Sequence, residues 1–215
     1  MHPEAKTAVL RRIRTAVDRE TVLAEAQAAW PNIARGYHMR TGVGCEATLE
    51  LLEDRLRDYD AVVERVDRKG CAEAVGRVLA ARPDVRALMP PGIAADLLPD
   101  GHGIVVDTGF THRELDVYGV VVTEASLAIA ETGTLVLQGV RGQGRRATTL
   151  VPDFHLCLVD VRTVVATVPE AFDQLSATAE LPTTFVSGPS ATADIEMTRI
   201  KGVHGPRFLH ILLVQ

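Results

Sequence analysis

With 215 residues, 47% of them hydrophobic and 24% charged, the chain has the composition of an ordinary globular protein and the length of one packed domain with an extension. A net charge of -5 argues against the broad basic field by which proteins hold nucleic acid or anionic membranes, so neither is expected as a partner. No apolar run reaches the roughly 20 residues that cross a bilayer, and the N-terminal MHPEAKTAVLRRIRTAVDRE mixes charges among its apolar residues; a cytoplasmic protein without a membrane span is expected.

The first sixty residues carry helical spacing. Val9, Ile13 and Val17 recur every four residues, and Leu49, Leu52 and Leu56 follow a three-then-four pattern. Trp30 is read as a packing residue, with partner docking as its alternative. From Ala61 the pattern changes to short β-branched runs: AVV at 61–63, then a helix with Ala72, Val75, Val78 and Leu79 inward that Pro83 stops. VRAL at 85–88, IVV at 104–106, GVVV at 119–122, LAIA at 127–130 and TLVL at 134–137 follow. LCLV at 156–159 and TVVA at 163–166 precede a helix opened by Pro169, with Phe172 and Leu175 inward; TFV at 184–186 and FLHILLV at 208–214 close the chain.

Near-continuous apolar strands of this length belong inside a sheet covered on both faces. The expected fold is α/β: a mixed, mainly parallel sheet flanked by helices, over residues 60–215, behind a helical N-terminal extension, residues 1–59. The close spacing of the later strands predicts hairpins around 119–137 and 156–166.

In ligand-binding α/β domains the site gathers at the carboxyl ends of strands, so the residues after each strand are the candidates. They include Asp107-Thr108-Gly109, Thr123-Glu124-Ala125-Ser126, Glu131-Thr132-Gly133-Thr134 and Ser187-Gly188-Pro189-Ser190. Glu131 is placed to act as general base or nucleophile, or else to accept hydrogen bonds from its own hairpin turn with Thr132 and Thr134 helping. Gly133 lets the chain turn tightly beside it. Arg145 and Arg146, on a loop after Gly142-Gln143-Gly144, form either a carboxylate or phosphate clamp or a solvated pair.

Toward the end of the chain, SGPSATADIEMTRIKGVHGP packs two glycine–proline turns around hydroxyls and charges. Ser187, Gly188, Ser190 and Thr192 are its candidate anion-binding residues, with ATADIEM starting a short helix there, and Asp194 is read as a cap or an ion-pair partner. His204, directly before Gly205-Pro206, is the candidate acid, base or anion ligand. His210 is read as a structural histidine. Cys45, Cys71 and Cys157 stand far apart with no C-x-x-C, and the histidines lack metal-ligand spacing, so no metal or cofactor site is expected within the chain.

AETGTLVL at 130–137, GRRATTLVPDFHLCLV at 144–159 and FVSGPSATADIEMTRIKGVHGPRFLHILLV at 185–214, in this order, resemble the LUD-domain family, and within it the lactate utilisation protein C group. The resemblance implies a fold of the NagB/RpiA/CoA-transferase-like superfamily and a role in oxidising L-lactate to pyruvate beside iron–sulfur partner proteins. Those partners would carry the clusters. Glu131-Thr132-Gly133 is similar to the Glu-x-Gly turn of the catalytic glutamate in CoA-transferases. The expected function is therefore a subunit or accessory protein of a lactate-oxidising system, non-catalytic or co-catalytic, with a crevice for a small carboxylate or phosphate. The alternatives are an independent CoA-transferase- or isomerase-like enzyme using Glu131, and a small-anion-sensing regulatory module.

Overall fold

The computed structural model describes residues 3–16, 19–34, 36, 42, 44–101, 103–192, 200–202 and 204–215. The chain divides into two compact units, 1–37 and 38–215. In the first lie helices α1 (Pro3–Ala16) and α2 (Arg19–Ala29), followed by a 3₁₀ turn at Trp30–Asn32. The four-residue spacing of Val9 and Ile13 does produce a helix, yet both side chains are exposed, as is Trp30 at 66%. The expectation that Trp30 packs inward is thereby corrected: so short a helical unit has no interior large enough to enclose an indole.

The second unit begins with α3 (Cys45–Asp58), whose Leu49, Leu52 and Leu56 are buried as their spacing requires. The division expected after residue 59 falls inside this unit, because the apolar stripe of α3 is part of its core. There follow β1 (Val62–Val66), α4 (Arg68–Ala80), β2 (Ala87–Met89), β3 (Val105–Val106), α5 (His112–Leu115), β4 (Val120–Glu124), β5 (Leu127–Ile129) and β6 (Thr134–Gln138). The chain continues through β7 (Phe154–Asp160), β8 (Val164–Val165), α6 (Val168–Leu175), β9 (Thr183–Val186), β10 (Ala191–Thr192), β11 (Ile200–Lys201) and β12 (Phe208–Val214).

Helix starts follow local chemistry. The Asp67 carboxylate accepts the Gly70 N–H at 2.6 Å to open α4, and Thr167 with Glu170 closes a capping box on α6, where Pro169 occupies the first turn.

Six strands form one wholly parallel sheet in the order β1-β12-β7-β4-β2-β3. Helix α4 covers one face through Val75, Val78 and Leu79 against Val122, Leu156 and Leu212. On the other face, Cys157, Val159, Ile211 and Leu213 meet α3 and a second, four-stranded sheet ordered β8-β5-β6-β9. That sheet is covered in turn by α6 through Ala171 and Leu175. Strands β7 and β12 are buried on both sides, which is why each reads as a nearly unbroken apolar run.

The antiparallel pairings therefore lie outside the parallel sheet, in the second sheet and in the separate β10–β11 pair. Only the β5–β6 pairing inside 119–137 is a hairpin, and β7 and β8 sit in different sheets, which corrects the hairpin expected around 156–166. Two further expectations are corrected. Phe172 is 57% exposed and stacks on Phe185 at 5.8 Å, because residues 171 and 175 take the inward face of α6. At the start of ATADIEM, Ala191 and Thr192 pair antiparallel with Lys201 and Ile200 instead of opening a helix; Asp194 lies outside the described residues.

Candidate functional site

A cleft of about 230 Å³ opens beside the amino ends of β7 and β12, where His155 and Leu209 line it. Its other walls are the 3₁₀ turn at Arg146–Thr149, the segment that leaves β9 at Ser187-Gly188-Pro189-Ser190, and His204-Gly205-Pro206 ahead of β12. Five of the expected site residues thus come together: Arg146, Ser187, Gly188, Ser190 and His204. They meet at the amino end of the parallel strands, not the carboxyl end, because β9 belongs to the second sheet and delivers its trailing loop there.

The two neighbouring arginines part company. Arg145 forks onto Asp107, with Nε 3.0 Å from Oδ2 and Nη2 3.2 Å from Oδ1, and it also donates to the Phe110 carbonyl. Asp107 accepts further from Thr148 Oγ1 and from the N–H groups of Gly109 and Phe110. Burial opposes its charge, but these donors outweigh burial and hold its carboxyl down at about 2. Arg146 instead lines the cleft. Among the described residues its guanidinium hydrogen-bonds only to Thr149, 3.0 Å to Oγ1 and 3.4 Å to the carbonyl, and no carboxylate pairs with it. Burial pushes its pKa down, yet a guanidinium remains charged at neutral pH.

His155 is a site residue that sequence reasoning missed. It is 2% exposed, and its Nε2 lies 2.8 Å from Thr123 Oγ1 on β4. Its other ring nitrogen has no hydrogen-bond partner among the described residues, and the residue forms part of the cleft wall. Burial, reinforced by the nearby Arg146 charge, pushes its pKa down to about 4, so the ring is neutral at physiological pH. A polar residue inside the apolar run FHLCLV was the available signal.

Ser190 organises the loop opposite. Its Oγ accepts the His204 N–H at 3.1 Å, and its own N–H donates to the Pro206 carbonyl at 2.8 Å. His204 is exposed at the rim. Gly188, at φ 80°, is a packing requirement as much as a site feature: an added Cβ would lie 2.4 Å from Tyr59 Cβ.

Glu131 lines neither this cleft nor the other described cavity. Its Oε1 accepts the Val168 N–H at 2.7 Å, at the positive N-terminal end of α6. Gly133, at φ 58°, presses against the main chain of Arg55. Thr132 and Thr134 share a hydroxyl contact of 2.8 Å, and Thr134 reaches Ser187 Oγ at 2.7 Å, which ties the hairpin to the cleft edge. Thr192 lies in β10. The cleft can thus hold an anion with Arg146 against hydroxyls and a neutral imidazole, while the Glu131 turn supports it from outside.

The family model described as the LUD domain matches residues 94–214, which contain the strands β4 to β12 and the whole cleft. A lactate utilization protein C of Deinococcus radiodurans is 41% identical over 170 residues, 77% of this chain and 79% of that protein. One from Shouchella clausii is 36% identical over 99 residues, so the match spans 44% of this chain and 43% of that relative. A crystal structure of a DUF162 family protein from Deinococcus radiodurans superposes with a TM-score of 0.70 at 34% identity, covering 80% of this chain and 99% of that one. The family match spans the strands and loops that build the cleft, the Deinococcus relative matches over most of the chain, and the chain belongs to the LUD-domain family.

Proposed function

We propose that this chain serves L-lactate utilisation as a subunit that holds a small carboxylate, lactate or pyruvate, in the Arg146 cleft and works beside iron–sulfur proteins that carry the electrons. The observation that carries the reading is Arg146: a cation lining a cleft of hydroxyls with no acidic partner among the described residues. A buried or half-buried charge without a partner is costly, and an anionic ligand removes that cost. The names of the relatives from Deinococcus radiodurans and Shouchella clausii support lactate utilisation as the setting.

Arg146 would take the carboxylate in a two-bond fork. The His155 ring, neutral and hydrogen-bonded to Thr123, would face the hydroxyl or keto oxygen, and Ser187 and Ser190 would close the opposite side. Electron transfer is assigned to partner proteins. Cys71, on α4, packs in the core on one face of the parallel sheet and Cys157 on the opposite face, so these two thiols share no ligand set for a cluster.

Lactate, pyruvate and phosphate in thermal-shift titrations test the binding. Lactate or pyruvate should raise the melting temperature of the wild type and leave Arg146→Met unmoved. No stabilisation by either acid refutes the carboxylate site, and stabilisation by phosphate alone replaces it with a phosphate site. Lactate-dependent dye reduction by the iron–sulfur proteins, with and without this chain at matched cluster content, tests the role. Unchanged turnover without the chain refutes it.

A further inference from the structure

A second cavity, of about 190 Å³, lies at the opposite end of the same strands. Glu124 ends β4, Asp160 ends β7 and Val214 ends β12, and all three line it, together with Arg68 and Gln143. It is smaller than the about 300 Å³ at which drug-sized ligands begin, and it stands where open α/β sheets place their ligands.

Two of its four polar side chains already have partners. Arg68 forks onto Asp96 at 2.7 and 3.1 Å, and Asp160 accepts from the Arg162 N–H and guanidinium. The other two have capacity left over. Gln143 is 6% exposed, and its Oε1 accepts from Gln138 N at 2.6 Å and from Ser126 Oγ at 3.0 Å. Because a backbone N–H must meet oxygen, these bonds fix the amide orientation and leave its NH2 group with no acceptor among the described residues.

The Glu124 carboxylate likewise has no hydrogen-bond donor among the described residues. It lies over Gly142, where an added Cβ would come within 2.0 Å of Oε2. Neither group is sealed away from the cavity: the one fully enclosed side-chain polar atom without a hydrogen-bond partner, among the described residues, is His210 Nε2. A buried polar group left unmatched in this way calls for an occupant.

We infer that this cavity binds a small neutral polyol or monosaccharide, whose hydroxyls donate to Glu124 and accept from the Gln143 amide. An ammonium ligand has donors only and leaves Gln143 unmatched. A carboxylate or phosphate has acceptors only and meets Glu124 and Asp160 with like charge. A hydroxyl supplies both. Burial pushes the Glu124 pKa up, Asp160 and Asp96 act in the same direction, and Arg68 opposes them; a hydroxyl suits the carboxyl in either protonation state. The site is independent of the Arg146 cleft and of any role in lactate utilisation.

Saturation-transfer NMR on the full chain tests it, with D-ribose, D-glucose and glycerol as probes and putrescine and pyruvate as contrasts. At least one polyol should give signal in the wild type and in Arg146→Met, and that signal should fall more than fivefold in Glu124→Leu. Glu124→Leu should melt at or above the wild-type temperature, since it removes no hydrogen bond among the described residues. If it does not fold, Glu124→Ala supplies the same loss, because it removes both carboxyl oxygens from the cavity. Absence of signal from all three polyols overturns the proposal, and so does polyol signal that survives Glu124 replacement or is lost with Arg146. Signal from putrescine or pyruvate that depends on Glu124 also overturns it.

Discussion

The Arg145 guanidinium closes a two-bond fork on the nearly buried Asp107 carboxylate, 3.0 and 3.2 Å, while Arg146, one residue later, faces a cleft with no acidic partner among the described residues. The two arginines therefore respond differently to replacement. Arg145→Met should lower stability by roughly 2 kcal/mol, toward the low side for a broken buried pair because Arg145 is 43% exposed. Arg146→Met should change stability by no more than about 0.5 kcal/mol. Urea unfolding of both variants checks the contrast; equal losses would mean that Arg146 is structural.

Asp107 also sets a pH dependence. Its folded pKa of about 2 lies below the usual 3.8, so the unfolded chain binds the proton more readily. The stability it contributes is complete above pH 4 and disappears as pH falls toward 2. Unfolding free energies of the wild type and Asp107→Asn should converge between pH 4 and 2.

His155 adds a second window. Its folded pKa of about 4 lies below the ordinary 6.5, so the unfolded state again takes the proton first. Its contribution is complete above pH 6.5 and falls away as pH drops toward 4. An NMR titration should find this ring neutral at pH 6. Thr123→Val, which strands Nε2, should cost about 1–3 kcal/mol.

An alanine Cβ at Gly188 would overlap the Tyr59 side chain, so Gly188→Ala adds both a left-handed backbone penalty and an overlap. The expected loss is about 3 kcal/mol, read from the denaturation midpoint. An effect below about 1 kcal/mol would show that the loop shifts freely away from α3.

Glu131→Ala should cost about 1 kcal/mol, the worth of an acceptor at a helix N-terminus, through loss of its bond to Val168. Its effect on small-acid binding should be slight, since Glu131 does not line the cleft. Complete loss of binding in a folded Glu131→Gln protein would return the carboxylate to a direct chemical role.

Sequence periodicity was enough for the α/β class and for most elements, because the signals are local. Leu49, Leu52 and Leu56 must share a helix face, and FLHILLV must lie between two covers. The loop chemistry was legible for the same reason: Ser187, Gly188, Ser190 and His204 stand in turn-forming sequences and do meet in one cleft. The side of α6 that faces inward was not legible, since Ala171 and Phe172 are adjacent and only the packed sheet chooses between them.

Local sequence also has no means of separating Arg145 from Arg146, or of finding His155. Asp107 is 38 residues before Arg145, and Thr123 is 32 before His155, so only the tertiary fold brings each pair together. The same holds for Glu131, whose partner is the start of α6, 37 residues on. The sequence by itself determined most of the helix and strand segments, and that hydroxyls and cations cluster at strand ends. Only the tertiary structure decided which end of the sheet they occupy and which charges are already neutralised, because both depend on contacts between residues far apart in the chain.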